Sequence, residues 1–316
     1  MTSVRETYIR GIVQTVGALA VVAGIVGWIA GWRHGHGVIT LGLIVYLSTL
    51  FTPRLSLSRS WGALELMRAE KSTGEDALEH LESAVGSFRK YATKRPAEAR
   101  YLANALDKQW NLLHELDRHE DALPVIQEAV ETWRQVVAGE PYYREQLARS
   151  LNHAAVTFSR LDREEEGIPI NEEAVVLTRS LITEHEELLA LNLSNLVIAL
   201  QDRERWEQSV PVAQEAYATY RRLMKTRPEL LELTARAAEQ LTKAHDALGE
   251  FEPAVVAGEQ ALPLFEELAV DDLSWLNRLI TSIEEQAFRL HRVGRSDEAR
   301  RLELKGVALR EKFADL

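Results

Sequence analysis

Small residues recur along the chain at an almost fixed interval, and each stands seven residues before a second small residue. The first small position holds Ala77, Ala122, Gly167, Ser209, Ala254 and Ala299, and the second holds Ala84, Ala129, Ala174, Ala216, Ala261 and Gly306. Four residues further on, the chain has Phe88, Trp133, Thr178, Tyr220, Phe265 and Arg310. Self-similarity at a period of about 45 residues is typical of a helical array.

Two small residues seven positions apart lie on one side of a helix, where a neighbouring helix can pass closely. Short polar turns precede the last five of these six helices: Asp117-Arg118, Asp162-Arg163, Glu204-Arg205, Gly249-Glu250 and Gly294-Arg295. Breaks at Pro96, Pro141, Pro228 and Asp271-Asp272 close them. The pattern therefore predicts about six helix pairs, beginning near Leu55.

In this register the sequence resembles the tetratricopeptide repeat family, in its long-period variety, over roughly residues 58–316. The resemblance implies an all-α, right-handed solenoid whose concave groove binds a protein or peptide. One departure is Trp110, which stands where Ala155 and Val197 occupy the equivalent positions. At the end of the chain, Gly306 and Arg310 weaken the pattern, as expected of a capping repeat.

The N-terminal region has a different character. Residues 11–32 carry no charge, and as a helix they would cover about 33 Å, enough for a hydrocarbon core of about 30 Å. Residues 38–52 would reach only about 22 Å and predict a second, shorter span. We therefore expect a membrane anchor over residues 1–54, with one or two transmembrane helices, and the solenoid over 55–316. A cleaved signal peptide is the rival interpretation of the apolar run.

Basic residues suggest how this anchor is oriented. Arg5 and Arg10 precede the predicted hairpin and Arg54 and Arg59 follow it, against Arg33 in its turn. The positive-inside rule then places the solenoid in the cytoplasm. Small residues on the first span indicate close helix packing, either within the hairpin or between chains: Gly17, Gly24, Gly27 and Gly31.

Composition narrows the function classes. The net charge is −11 and the chain has no cysteine, which excludes disulfides and thiolate metal sites. Nucleic acid is not an expected partner, because phosphate contact needs clustered Lys and Arg.

A search for catalytic patterns finds no nucleophile elbow, no phosphate-binding glycine loop and no helical His-Glu-x-x-His. On one helix His114 and His119 would diverge by about 140°, so both are interpreted as surface histidines. His34 and His36 alone make an incomplete metal site. The sequence thus predicts neither an enzyme, nor a cofactor, nor a metal site.

The groove of the predicted solenoid is lined by polar residues of the first helices, which suit a peptide backbone and its side chains. Counted from the small-residue register, they are Asn104, Asp107, Asn111, His114, Arg149, Asn152, Ser159, Gln201, Arg236, Glu239, Lys243, Asp246, Glu284 and His291. The family's carboxylate clamp is matched only at Asn152, because Asp107, Ser194, Glu239 and Glu284 occupy its other asparagine positions.

Two functions follow from these features. The first is a membrane-tethered, non-catalytic scaffold that recruits a protein or peptide partner through the groove. The alternative is a membrane-acting effector, in which the solenoid controls oligomerisation of the glycine-rich spans and these perturb the bilayer. Either function allows a homo-oligomer.

Overall fold

The computed structural model describes residues 57–181 and 185–313, and every regular element in these ranges is helical. The predicted spans 11–32 and 38–52 lie outside the described residues. The α-helices are α1 Leu57–Ala69, α2 Gly74–Lys94, α3 Arg100–Glu115, α4 His119–Gly139, α5 Arg144–Arg160, α6 Glu164–Arg179, α7 Glu186–Asp202, α8 Trp206–Met224, α9 Leu231–Ala247, α10 Phe251–Asp271, α11 Leu276–Arg292 and α12 Ser296–Lys312.

Consecutive helices pack as six pairs, α1 with α2 through to α11 with α12. The prediction of an all-α helical repeat of about six pairs is therefore confirmed for the described residues. The chain divides after Tyr143 into two compact units. The first, unit 1, contains α1 to α4, and unit 2, Arg144–Leu316, contains α5 to α12.

The small-residue register lies on the buried side of the second helix of each pair. All twelve small positions are buried, and Ala84, Ala122 and Ala129 have no exposed surface at all. At the bulky position, five of the six residues are also buried, from Phe88 to Phe265. Arg310 is exposed on α12, as expected where the last helix meets solvent. The register thus identifies the surface on which the repeats pack.

The predicted turns between paired helices share one backbone geometry. Their first residues have positive φ, and three of them are not glycine: Asp117 at 59°, Asp162 at 55° and Glu204 at 55°. The next N–H donates back across the turn, as Arg118 does to the carbonyl of Leu113 at 2.9 Å. This left-handed C-terminal cap satisfies carbonyls that the helix end leaves unpaired.

The predicted helix breaks are confirmed as well. Short 3₁₀ turns begin at Pro96, Pro141 and Pro228, and a fourth covers Leu273–Trp275. Proline lacks an amide N–H, so it fits the first turn of a helix and disfavours continuation of the helix before it. Within the ranges 57–181 and 185–313, no helix combines the length and apolarity that crossing a membrane requires.

A larger side chain at one of the small-residue positions tests whether the helices pack closely there. Ala129→Leu inserts three carbons at a position with 0% exposure, and we expect it to lower the free energy of unfolding by about 1–3 kcal/mol. Ala138→Leu on the same helix is the control, because Ala138 is exposed and its change should be near zero. Chemical denaturation measures the free energy of unfolding of both variants. Equal losses in the two variants would contradict the packing role of Ala129.

Replacing a turn residue tests the left-handed caps. Glu204→Gly removes the side chain from a residue with positive φ, and we expect a gain of about 0.5–1 kcal/mol in the free energy of unfolding. Gln214→Gly in the exposed middle of α8 should instead lose about 1 kcal/mol. If thermal unfolding shows both variants destabilised, the strain at Glu204 is not relieved by glycine.

Candidate functional site

The residues predicted to line a groove lie on the first helix of each pair, and we call these positions the first-helix face. In unit 1 they comprise Asn104, Asp107, Asn111 and His114. Asn104 and Asn111 are exposed. Asp107 is partly buried and accepts a hydrogen bond from Trp133 Nε1 at 2.7 Å, so it holds the two helices of its pair together. It is therefore a structural group rather than an open contact.

His114 and His119 depart from the prediction that they diverge. Helix α3 ends at Glu115, and the left-handed turn at Asp117 returns the chain, so the two imidazole rings lie 5.1 Å apart between centroids. The Trp110 ring stacks on His114 at 5.0 Å. The prediction that the two rings diverge was wrong, because it extended one helix through a turn, whereas both side chains remain partly exposed at the surface.

In unit 2, two predicted groove residues are buried between neighbouring first helices. Asn152 on α5 donates from Nδ2 to Asn192 Oδ1 on α7 at 2.8 Å. Gln201 on α7 donates from Nε2 to the carbonyl of Gln240 on α9 at 2.9 Å. These bonds fix the spacing of first helices, since a buried amide without a partner is costly. Neither side chain is open to a partner, which corrects their predicted role.

Other predicted residues of unit 2 lie at the surface and pair with neighbours. Arg149 contacts Glu145 at 2.7 Å, and Arg236 contacts Glu232 at 2.9 Å. His291 lies 3.1 Å from Glu303, and Ser159 is partly buried. Exposed ion pairs of this kind contribute little to stability, so these side chains can exchange partners at small free-energy cost.

Four predicted residues come together in one place. Glu239, Lys243, Asp246 and Glu284 line a cavity of about 870 Å³ between α9, α10 and α11. Most of its apolar lining comes from α10 and includes Leu262 and Phe265, with Gly258 beside them. The remaining lining residues, which the sequence did not indicate, include Arg278, Ser282, Glu285, Phe288 and Arg289.

Ion pairs cross this cavity from α9 to α11. Arg289, with 8% of its side chain exposed, donates from Nε to Asp246 Oδ2 at 2.6 Å and contacts Glu285 at 3.2 Å. Arg278 pairs with Glu239. Burial raises the pKa of Asp246 above its usual range, and the Arg289 guanidinium opposes that shift. The other oxygen of Asp246, Oδ1, accepts no hydrogen bond.

Exposed apolar side chains share the first-helix face with these charges. Leu191 is 38% exposed, Ile198 39% and Phe288 59%. Leu191 occupies the repeat position of Arg149 and Arg236, while Ile198 and Phe288 occupy that of Lys243. These residues are absent from the predicted groove because that prediction included polar side chains only, although the repeat register identifies their positions.

A second, smaller cavity lies at another part of this face in unit 2. It has a volume of about 310 Å³ and is lined by residues that include Arg149, His185, Leu191, Tyr220 and Leu233. Burial raises the pKa of Tyr220 to about 12, so its phenol stays protonated at neutral pH. The face of unit 2 therefore combines two concave sites with apolar and charged rims.

Among the residues that the structure describes, no three His, Asp or Glu side chains are grouped so as to hold a metal ion. The first-helix face of unit 2 combines apolar side chains with polar groups beside them, which is the composition of surfaces that bind peptides or proteins.

Comparison with known proteins agrees with this architecture. Residues 193–227, which include all of α8, match the model of the tetratricopeptide repeat. A search of curated protein sequences gives no match. The crystal structure of BtubC (BKLC) from P. vanneervenii is similar over 81% of this chain and 93% of that chain, with a TM-score of 0.55 and 16% identity. That of aspartyl phosphate phosphatase F from Bacillus subtilis is similar over 97% and 92%, with a TM-score of 0.47 and 13% identity.

The repeat match falls in register with the 45-residue pattern, and the similarity to BtubC extends over most of the chain. The protein therefore has a tetratricopeptide-like helical-repeat fold.

Proposed function

We propose that this protein is a non-catalytic scaffold, tethered to a membrane through its N-terminal apolar segments, that binds a segment of a protein partner on the first-helix face of unit 2. The observation that carries the proposal is the exposure of Phe288, Leu191 and Ile198 at repeat positions on that face. Leu191 and Ile198 on α7 and Phe288 on α11 have Arg236 and Lys243 of α9 at the equivalent positions between them, and protein interfaces likewise combine apolar and polar side chains.

The two cavities support the same proposal. Each opens on residues of successive first helices, so an extended segment crossing those helices would meet both apolar anchors and hydrogen-bonding groups. Helical repeats commonly bind partners in this way, because stacking places the first helices of successive repeats side by side and so forms one extended surface.

The tether rests on the sequence alone. Residues 11–32 have the length and apolarity of a span, and 38–52 extend them into a hairpin that would leave both ends on the cytoplasmic side. Membrane attachment would then confine the binding face to the cytoplasmic surface of the bilayer and raise its effective concentration for partners held there.

Position-specific crosslinking tests the binding face. A photo-crosslinking amino acid placed at Lys243 or Phe288 in the full chain should give discrete crosslinked products in the cells that make the protein. The control position is Val256, which is 53% exposed on the second helix α10 and belongs to another face. Products that are equally abundant from Val256, or absent from all three positions, would contradict the proposal.

The absence of cysteine allows a direct test of the tether. Single-cysteine variants Ser3→Cys, His36→Cys and Asp315→Cys can be treated with a membrane-impermeant maleimide. We expect labelling of His36→Cys in intact cells, and of the other two only after permeabilisation. Labelling of Asp315→Cys in intact cells would contradict the proposed orientation. Release of the chain from washed membranes would contradict the membrane tether.

A further inference from the structure

The outer side of α12 carries an apolar residue at a position that other repeats bury. Val307 stands eight residues after Ala299, the first small residue of its repeat, and it is 52% exposed. Four second helices in the described ranges have the next first helix packed on them, and at this position each buries an apolar side chain: Val85, Val175, Tyr217 and Leu262. Val175, for example, belongs to one apolar cluster with Leu193 and Leu196 of α7. Val307 therefore lies on the surface by which one repeat contacts another.

Val307 is part of a narrow stripe along α12. Its members are spaced by four, three and four residues, so at about 100° per residue they lie within about 60° of one another: Arg300, Leu304, Val307 and Glu311. All four are exposed, Leu304 to 66%. The stripe, which we call the α12 stripe, thus has two apolar residues at its centre, an arginine towards the N-terminus of the helix and a glutamate towards its C-terminus.

The charged ends of the α12 stripe differ from neighbouring charges on the same helix. Arg310, which lies beside the stripe, pairs with Glu284 of α11. Arg300 and Glu311 form no ion pair with any residue that the structure describes. Their charges are therefore available to a partner that approaches the outer side of α12.

We infer that the α12 stripe binds the α12 stripe of a second copy of this chain, with the two helices antiparallel about a two-fold axis between Leu304 and Val307. Leu304 then faces Val307 of the second copy, and Arg300 faces Glu311 of the second copy. The two-fold axis forms each contact twice. Such an interface requires one self-complementary surface, and the order of residues along the stripe supplies it. A parallel arrangement would instead bring like charges together at both ends.

This interface is distinct from the first-helix face. It lies on the second helix of its pair, so it can form whether or not a partner segment is bound to the first helices. The contact uses about three turns of one helix, and we therefore expect a weak dimer whose subunits exchange readily.

Disulfide formation between copies tests the pairing, because the chain contains no cysteine of its own. Full-length Leu304→Cys and Val307→Cys chains with different tags are purified, mixed and oxidised mildly. We expect the mixed disulfide to form several-fold faster than a disulfide between two copies of either variant, because only the mixed pair places the two sulfur atoms opposite each other. Val256→Cys, at an exposed position on α10, measures random collision.

Each other result of this experiment contradicts the inference. If Leu304→Cys reacts fastest with itself, the register and direction assigned to the two helices are wrong. If no combination reacts faster than Val256→Cys, α12 does not bind a second copy, and its apolar residues face solvent or a different protein.

Charge reversal in the cysteine variants gives an independent test. Arg300→Glu or Glu311→Arg alone turns two attractive contacts per dimer into two repulsive ones, and we expect the mixed disulfide to form about tenfold more slowly. The double variant restores opposite charges and should restore the rate. Arg221→Glu makes the same charge change at an exposed position of α8 and should leave the rate unchanged. A double variant that is as slow as the single variants would overturn the inference.

Discussion

The close approach of helices at Ala, Gly and Ser is the constraint on which the structure depends. Where the second helix of a pair presents these residues, the neighbouring backbone can lie against it, and a larger side chain would hold the two apart. Gly167 shows how tight the fit is, because a Cβ there would lie 3.1 Å from Cβ of Phe158. Bulky residues four positions later, such as Trp133 and Tyr220, then fill the space between helices.

This constraint falls on the second helices and leaves the first-helix face comparatively free. That face accordingly differs from repeat to repeat, with Asn111 in one and Lys243 or Phe288 in others. In α10, Gly258 stands where other repeats bury Leu81 or Ile126, and the Gln286 side chain of α11 packs into that space, since a Cβ at Gly258 would lie 2.0 Å from Oε1 of Gln286. Side-chain volume lost at one repeat position is therefore compensated by a residue of the next first helix, while the packing positions stay unchanged.

The sequence predicts the helices and their packing surface well because both depend on a period that many residues share. Turns could be placed for the same reason, since Asp117, Asp162 and Glu204 recur in register with glycines. Side-chain partners were less predictable. Asn152 was predicted to line the groove, but its side-chain amide donates to Asn192. That contact depends on the distance between two helices, which the sequence pattern does not specify. His119 approaches His114 only through the left-handed turn, which helical periodicity does not describe.

The ion pairs that join neighbouring repeats connect residues close to one period apart. Arg179 and Glu215 are 36 residues apart, Arg227 and Glu187 are 40, and Lys305 and Glu266 are 39. Each such contact forms between adjacent segments of the chain, so little loop entropy is lost in making it. Whole repeats could for the same reason be duplicated or lost during evolution with the remaining neighbours still in register, which lengthens or shortens the array without redesign of its interior.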